Sequence, residues 1–338
     1  MNANCSVLLA YSSSIPLKLS MSYSLLFSCI GFPIFTWASV KLWTGVYTKS
    51  FHRNFRLIVQ MHLFGFMLHC SGRIVLHTLD LFNYTFLQPC DMIPNIYRCF
   101  IFRLMYNLGF WITHCTAVPL IIERYIATRL MGKYENKFIW LGILLACMQP
   151  CLAAVPLYFA YMNLRFDGVF MPYCSVYKPG SPTIANINSG VAICAQVVAR
   201  ILFGFLFTVN KNRRVRMQTS PLSTRFQLEE NKMTMQCLSI YANFSSLFLF
   251  VQIFSFIYLL SISPEMPKEH YLAWMEFNAQ FPLYGIVSVV LVARKISSLR
   301  SSINTNLNQQ VHLNETKTYF DMFNKQIGKI GKTQKKKK

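Results

Sequence analysis

The chain has 338 residues, of which 54% are hydrophobic, 15% aromatic and only 13% charged, and its mean hydropathy is +0.35. Soluble domains carry about 25% charged residues, so this composition excludes an ordinary cytosolic globular enzyme and points to lipid as the solvent. The net charge of +21, from 33 Lys+Arg against 12 Asp+Glu, raises nucleic-acid binding as a question that the positions of the basic residues answer.

Residues 1–16 are polar and Ser-rich, without the basic region, apolar core and small-residue cleavage site of a signal peptide. They read as part of a short external segment, residues 1–18. A hydrocarbon core of roughly 30 Å needs about 20 apolar residues in helix, and seven runs of that kind follow: 19–42, 57–79, 99–122, 138–162, 183–209, 235–262 and 271–293. Residues 138–164 and 233–264 contain no charge, whereas spans two, three, five and seven carry one each, Arg73, Arg103, Arg200 and Glu276. Residues 294–338 are polar and end in four lysines, a basic tail too short and too polar for a second folded domain. The expected architecture is an all-α membrane protein, a seven-transmembrane helix bundle over 19–293.

With the N-terminus outside, the four cytoplasmic segments hold 25 of the Lys+Arg, the four external segments five, and the spans three. By the positive-inside rule this predicts an external N-terminus and a cytoplasmic C-terminus. The net charge is thus a topology signal and no nucleic-acid partner is expected. Basic loops and tail are expected to lie against an anionic inner leaflet, at about 1 kcal/mol per residue near the surface. The sequons at Asn4 and Asn83 fall on the expected outside and are the candidate glycosylation sites.

Eleven cysteines are spread along the chain. Cys29, Cys70, Cys115, Cys147, Cys151, Cys194 and Cys237 lie in spans, where a buried thiol acts as a small hydrophobe. Cys5, Cys90, Cys99 and Cys174 lie outside, where disulfides persist. Cys99 opens the third span and Cys174 sits between spans four and five, so a Cys99–Cys174 bond would pin that loop over the bundle. Cys90–Cys174 is the alternative, since sequence does not fix connectivity. No metal-ligand spacing, P-loop or Gly-rich nucleotide fingerprint is present, and no cofactor, metal or enzymatic activity is expected.

The intramembrane charges are the clue to a pocket, because an ionisable group in lipid is costly unless it meets a partner or a wet cavity. Arg73, Arg103 and Glu276 all fall in the outer third by helix rise. Glu276 is expected to neutralise one arginine and leave the other for an anionic or hydrogen-bonding ligand, with Tyr106 and Asn107 beside them in the third span. His69, Arg73 and His77 recur at four-residue spacing on one face of the second span. Histidines in spans can ligate haem, with His114 a candidate partner, but no other span supplies a facing histidine, and a packed or pocket-lining role is expected.

The third span ends in Glu123-Arg124-Tyr125, an acid-Arg-Tyr triplet that resembles the switch motif of G-protein-coupled receptors. Three patterns resemble the nematode serpentine chemoreceptors of the Sra superfamily, class ab above classes e, b and a. They are Cys99-Phe100-Ile101-Phe102-Arg103-Leu104 with Tyr106 and Gly109; Glu123-Arg124-Tyr125-Ile126-Ala127-Thr128 followed by Lys133-Tyr134-Glu135; and Leu222-Ser223-Thr224-Arg225-Phe226-Gln227 with Glu230-Asn231. The chain lacks the Pro in span six and the Asn-Pro pair in span seven of rhodopsin-like receptors. The resemblance implies a chemosensory receptor of the plasma membrane, in the sensory cilium. It binds a small-molecule ligand in the outer bundle, and Arg124 is freed to admit a heterotrimeric G protein, with Arg213, Arg214 and Arg225 of the third loop as G-protein contacts. The alternative is a small-solute transporter, whose repeated halves and midplane charge match this sequence poorly.

Overall fold

A computed structural model describes residues 3–44, 51–92, 96–130, 139–162, 173, 182–216, 222–299 and 301. The chain divides into two compact units, Met1–Leu291 and Val292–Lys338; the fold below is that of the first. All regular structure among the described residues is helical: α1 (Ala3–Ser13), α2 (Ile15–Trp43), α3 (Arg53–Phe86), α4 (Ile96–Cys115), α5 (Ala117–Arg129), α6 (Ile139–Tyr161), α7 (Pro182–Arg216), α8 (Leu222–Ile262) and α9 (Lys268–Asn278). A further helix, α10, runs over 281–299.

Among the described residues six stretches have the length and apolarity to cross a membrane: Ile15–Trp43, Ile96–Arg129, Trp140–Tyr161, Asn186–Arg213, Asn231–Ile262 and Lys268–Leu299. The second expected span is not among them. Its helix, α3, is long enough at 34 residues, but it carries His62, His69, Arg73, His77 and Asp80, all buried. A helix this polar is stable in a bilayer only with its polar face turned inward, and α3 packs between α2 and α4. That packing is close because glycines line it. A Cβ on Gly65 would stand 2.9 Å from the Gly109 carbonyl oxygen, and one on Gly72 would stand 2.9 Å from that of Phe102. Small residues let membrane helices approach backbone to backbone, which brings Arg73 and Arg103 to the same level.

Two spans are broken where proline removes a backbone donor. The third divides into α4 and α5 at Thr116, three residues before Pro119; the Thr116 hydroxyl contacts the Ile112 carbonyl and the Gln149 side chain, each at 2.9 Å. The seventh breaks at Ala279 and Gln280, just before Pro282. Glu276 therefore lies in the last turn of a short helix and Phe281 at the start of the next.

The segment ahead of the first span is not simply polar. It forms α1, whose Leu8 and Tyr11 are buried in one cluster with Leu17, Met21, Tyr84, Tyr173 and Leu272. A disulfide joins Cys5 of α1 to Cys90, so the alternative pairing of Cys90 with Cys174 is overturned. Cys99 is also disulfide-bonded; Cys174 lies outside the described residues. Of the seven span cysteines expected to be buried, only Cys70 and Cys237 are; Cys115 is half-buried, and Cys29, Cys147, Cys151 and Cys194 lie on the surface of the bundle. A thiol is apolar enough to face lipid, so hydropathy alone does not assign it to the interior.

Candidate functional site

Two buried polar clusters occupy opposite ends of the bundle. The first centres on Glu276. Arg73 Nη2 of α3 donates to Glu276 Oε2 at 3.1 Å, and Arg103 Nη1 of α4 donates to Oε1 at 3.2 Å. His77 Nε2 stands 3.5 Å from Oε2, and the Tyr173 hydroxyl donates to Oε1 at 2.6 Å. The expectation that Glu276 would hold one arginine and release the other is corrected: both guanidiniums share the one carboxylate. Tyr106 lies beneath the pair, its ring centre 5.3 Å from the Arg73 guanidinium and 4.8 Å from that of Arg103. Glu276 is 3% exposed and Arg73 fully buried. Removing water makes each of these contacts stronger and an uncompensated charge more costly.

Burial, with the Glu276 carboxylate beside it, holds the Tyr173 hydroxyl well above the ordinary tyrosine range, so it remains a donor. Tyr173 meets Tyr11 of α1 edge-on at 6.4 Å between ring centres. The helix tied by Cys5 and Cys90 thus packs on the residue that caps the cluster. Burial and Glu269 also raise the Tyr11 hydroxyl above its ordinary value.

Below the cluster lies a cavity of about 190 Å³. Arg73, Arg103, Tyr106, Asn107 and Glu276, the five residues singled out as a pocket, all line it, joined by His69, His114, Phe110, Trp111, Phe281, Tyr173 and Gln252. The Asn107 amide donates to the Tyr161 hydroxyl at 2.9 Å, tying α4 to α6. His69 Nδ1 lies 2.9 Å from the Tyr106 carbonyl oxygen. That oxygen only accepts, so Nδ1 carries the proton in this contact. His69 and His114 both pack on Phe281, with ring centres 4.8 and 5.5 Å away. Among the described residues no three His, Cys, Asp or Glu are grouped to hold a metal.

The second cluster centres on Arg124 of α5, which is buried and paired with Glu123 through both Nε and Nη2. Its Nη1 donates to Asn231 Oδ1 of α8 at 2.8 Å. Asn231 Nδ2 donates to Asn210 Oδ1 of α7 at 2.8 Å, and Asn210 Nδ2 donates to Thr128 Oγ1 at 3.0 Å. One chain of hydrogen bonds therefore joins α5, α7 and α8. Phe55 of α3 closes it from the side, its ring centre 5.5 Å from the Arg124 guanidinium. Tyr125 takes no part; it is 46% exposed, with the Arg129 guanidinium 5.4 Å from its ring centre. Arg213, expected on an open loop face, is half-buried and donates to the Thr128 carbonyl. The side chains of Arg214, Arg225 and Asn4 lie outside the described residues, and Asn83 is half-buried near the end of α3.

Sequence reasoning missed Asn210, Thr128, Tyr173 and the place of His77 on Glu276. Asn231 and Thr128 stood inside the quoted patterns without a role, because an uncharged amide or hydroxyl in a span gives no signal until its partner is known.

Between the clusters, His62 Nδ1 lies 3.1 Å from Thr116 Oγ1 at the break in the third span, and Gln149 of α6 donates to the Ile58 carbonyl at 3.2 Å. Beside them Tyr284 stacks on Phe248 of α8 with ring centres 4.3 Å apart. Packed rings thus run from the cavity floor at Phe281 to α8, the helix that holds Asn231.

The family model described as "Serpentine type 7TM GPCR receptor class ab chemoreceptor" matches residues 2–328. Among Caenorhabditis elegans proteins the chain is similar to "Serpentine receptor class alpha/beta-14", 27% identical over 198 residues that cover 56% of this chain and 50% of that protein. It is likewise similar to "Serpentine receptor class beta-16", 27% identical over 213 residues covering 59% and 58%, and to "Serpentine receptor class alpha-39", 27% identical over 152 residues covering 44% and 40%. The chain spans about half the length of the first of these relatives. The match along nearly the whole chain, with the all-helical bundle, makes this a multi-pass membrane protein that belongs to the class ab serpentine receptor family.

Proposed function

We propose that the protein is a G-protein-coupled chemosensory receptor, with its N-terminus outside and its C-terminus in the cytoplasm. It binds a small molecule in the cavity under Glu276 and activates a heterotrimeric G protein at the Arg124 end. The observation that carries the reading is the buried bond from Arg124 to Asn231. It ties the third span to the sixth at the end where the basic loops gather, and it is broken if those helices part. A closed arrangement held by a few hydrogen bonds is a two-state element whose populations a ligand can shift, provided it binds one state better. The rings from Phe281 through Tyr284 to Phe248 supply a packed contact between the cavity and α8, the helix that carries Asn231.

In this reading Arg213, Arg214 and Arg225 meet the G protein once the latch opens, and Cys99 pairs with Cys174 across the outer face. Asn4 and Asn83 are glycosylated outside, and the site of action is the plasma membrane of a chemosensory cell, at its cilium. The experiment is guanine-nucleotide exchange on a panel of heterotrimeric G proteins driven by the full chain in lipid nanodiscs, native and Arg124→Ala. Exchange by the native protein that depends on Arg124 supports the reading. Absence of exchange from folded protein across the panel rejects it.

A further inference from the structure

The outer cluster is unbalanced in charge, and the imbalance says what the cavity takes. Arg73 and Arg103 bring two positive charges to a single carboxylate, Glu276. A second acid, Asp80, is bound to Arg98 at 3.2 Å. Two guanidiniums against one carboxylate leave an excess of one positive charge over Arg73, Arg103 and Glu276, in a buried setting where excess charge is costly. Arg73 Nε and Nη1 are buried without a hydrogen-bond acceptor. The remaining walls are rings, Phe110, Trp111 and Phe281 among them.

Size sets a second bound. A cavity of 150 Å³ lined by apolar side chains holds benzene; at about 190 Å³ this one admits one ring, or an aliphatic body of similar bulk, with a head group of two or three atoms. Ligand pockets for drug-sized molecules run to roughly 300–1,000 Å³, so this one suits a smaller ligand.

We propose that the ligand of this cavity is a small monocarboxylate with a compact apolar body, its carboxylate taken by Arg73 and Arg103 beside Glu276 and its body on Phe110, Trp111 and Phe281. This rests on the reading of the cavity as the ligand site. The incoming anion offsets that excess and accepts from Arg73 Nε and Nη1. Guanidinium suits this task because it is always charged and donates in a plane that matches a carboxylate. It also competes with Glu276 for the same donors, which loosens α9 against α3 and α4 at the break in the seventh span.

The test uses the full chain in lipid nanodiscs at neutral pH, with benzoate, benzamide, benzyl alcohol and benzylamine as probes of one size and different charge, and thermal melting as readout. Benzoate is expected to bind at least about tenfold more tightly than benzamide, the factor that about 1.4 kcal/mol of charge-assisted bonding supplies, and benzylamine not at all. In Arg73→Gln the preference for benzoate over benzamide is expected to vanish, while Ala192→Phe, which fills the cavity from α7, abolishes binding of both. Equal or tighter binding of benzamide or benzyl alcohol to the native protein overturns the carboxylate assignment and leaves the cavity as the site. Benzoate binding that survives Ala192→Phe overturns the site, and no stabilisation by any probe overturns the proposal outright. The probe series on native protein needs no variant to fold. The receptor reading is scored separately, because the latch variant Asn231→Ala is assayed without ligand.

Discussion

Removing the Asn231 amide is the sharpest perturbation of the proposed Arg124 latch. In Asn231→Ala, Arg124 keeps Glu123 but loses the acceptor 2.8 Å away on α8, and α8 loses its bond to Asn210 on α7. A hydrogen bond to a charged group contributes about 1.5–3 kcal/mol, and both partners here are buried. If α5 and α8 part in the active state, that contribution is lost from the closed state alone. A shift of about 2 kcal/mol changes the ratio of open to closed by roughly thirtyfold. Basal, ligand-free nucleotide exchange in nanodiscs is therefore expected to rise by up to about thirtyfold. Asn231→Asp is expected to act oppositely, since a carboxylate on Arg124 strengthens the closed state and lowers basal exchange. Unchanged basal exchange in Asn231→Ala, from protein that melts like the native chain, would refute the assignment of Arg124 and Asn231 as a latch.

The outer cluster and the scaffold make their own predictions. Glu276→Ala leaves two buried arginines without their shared acid, and breaking a buried pair costs about 3–5 kcal/mol; detergent melting and folded yield should drop sharply, and an unchanged melt would show that the cluster is hydrated. Gly109→Ala places a methyl group 2.6 Å from the His69 backbone nitrogen, so it should splay α3 from α4 at a cost of about 1–3 kcal/mol, read as a lower melting temperature. Cys5→Ser opens a disulfide whose ends are 85 residues apart. The chain-entropy model gives about 4.6 kcal/mol for a loop of this size; a melt unchanged by reduction would show that α1 is held by packing alone.

How much was legible in the sequence differs between the two ends of the bundle. Arg73, Arg103 and Glu276 stood out because each is a lone charge in an apolar run, and helix rise alone put all three at one level. Their convergence on a single carboxylate was not legible: it depends on the rotation of α3, α4 and α9 about their axes and on the close approach at Gly65, Gly72 and Gly109. At the Arg124 end the triplet was visible, but Asn231 and Asn210 are 107 and 21 residues from their partners, a separation that no local pattern reports. The N-terminal helix was missed for a related reason. Its serines mask an apolar side, Leu8 and Tyr11, that has meaning only once Tyr84, Tyr173 and Leu272 are there to cover it.

By itself the amino-acid sequence determined the solvent, the all-helical class and the family, because hydropathy, lone charges and short patterns are local properties that survive without coordinates. Tertiary structure alone decided which polar groups meet. One acid holds two arginines, an asparagine on α8 accepts from Arg124, and Cys5 rather than Cys174 takes Cys90. Each pairing is a matter of a few ångströms between segments far apart in the chain, set by glycine-lined packing and by the proline-linked breaks in the third and seventh spans.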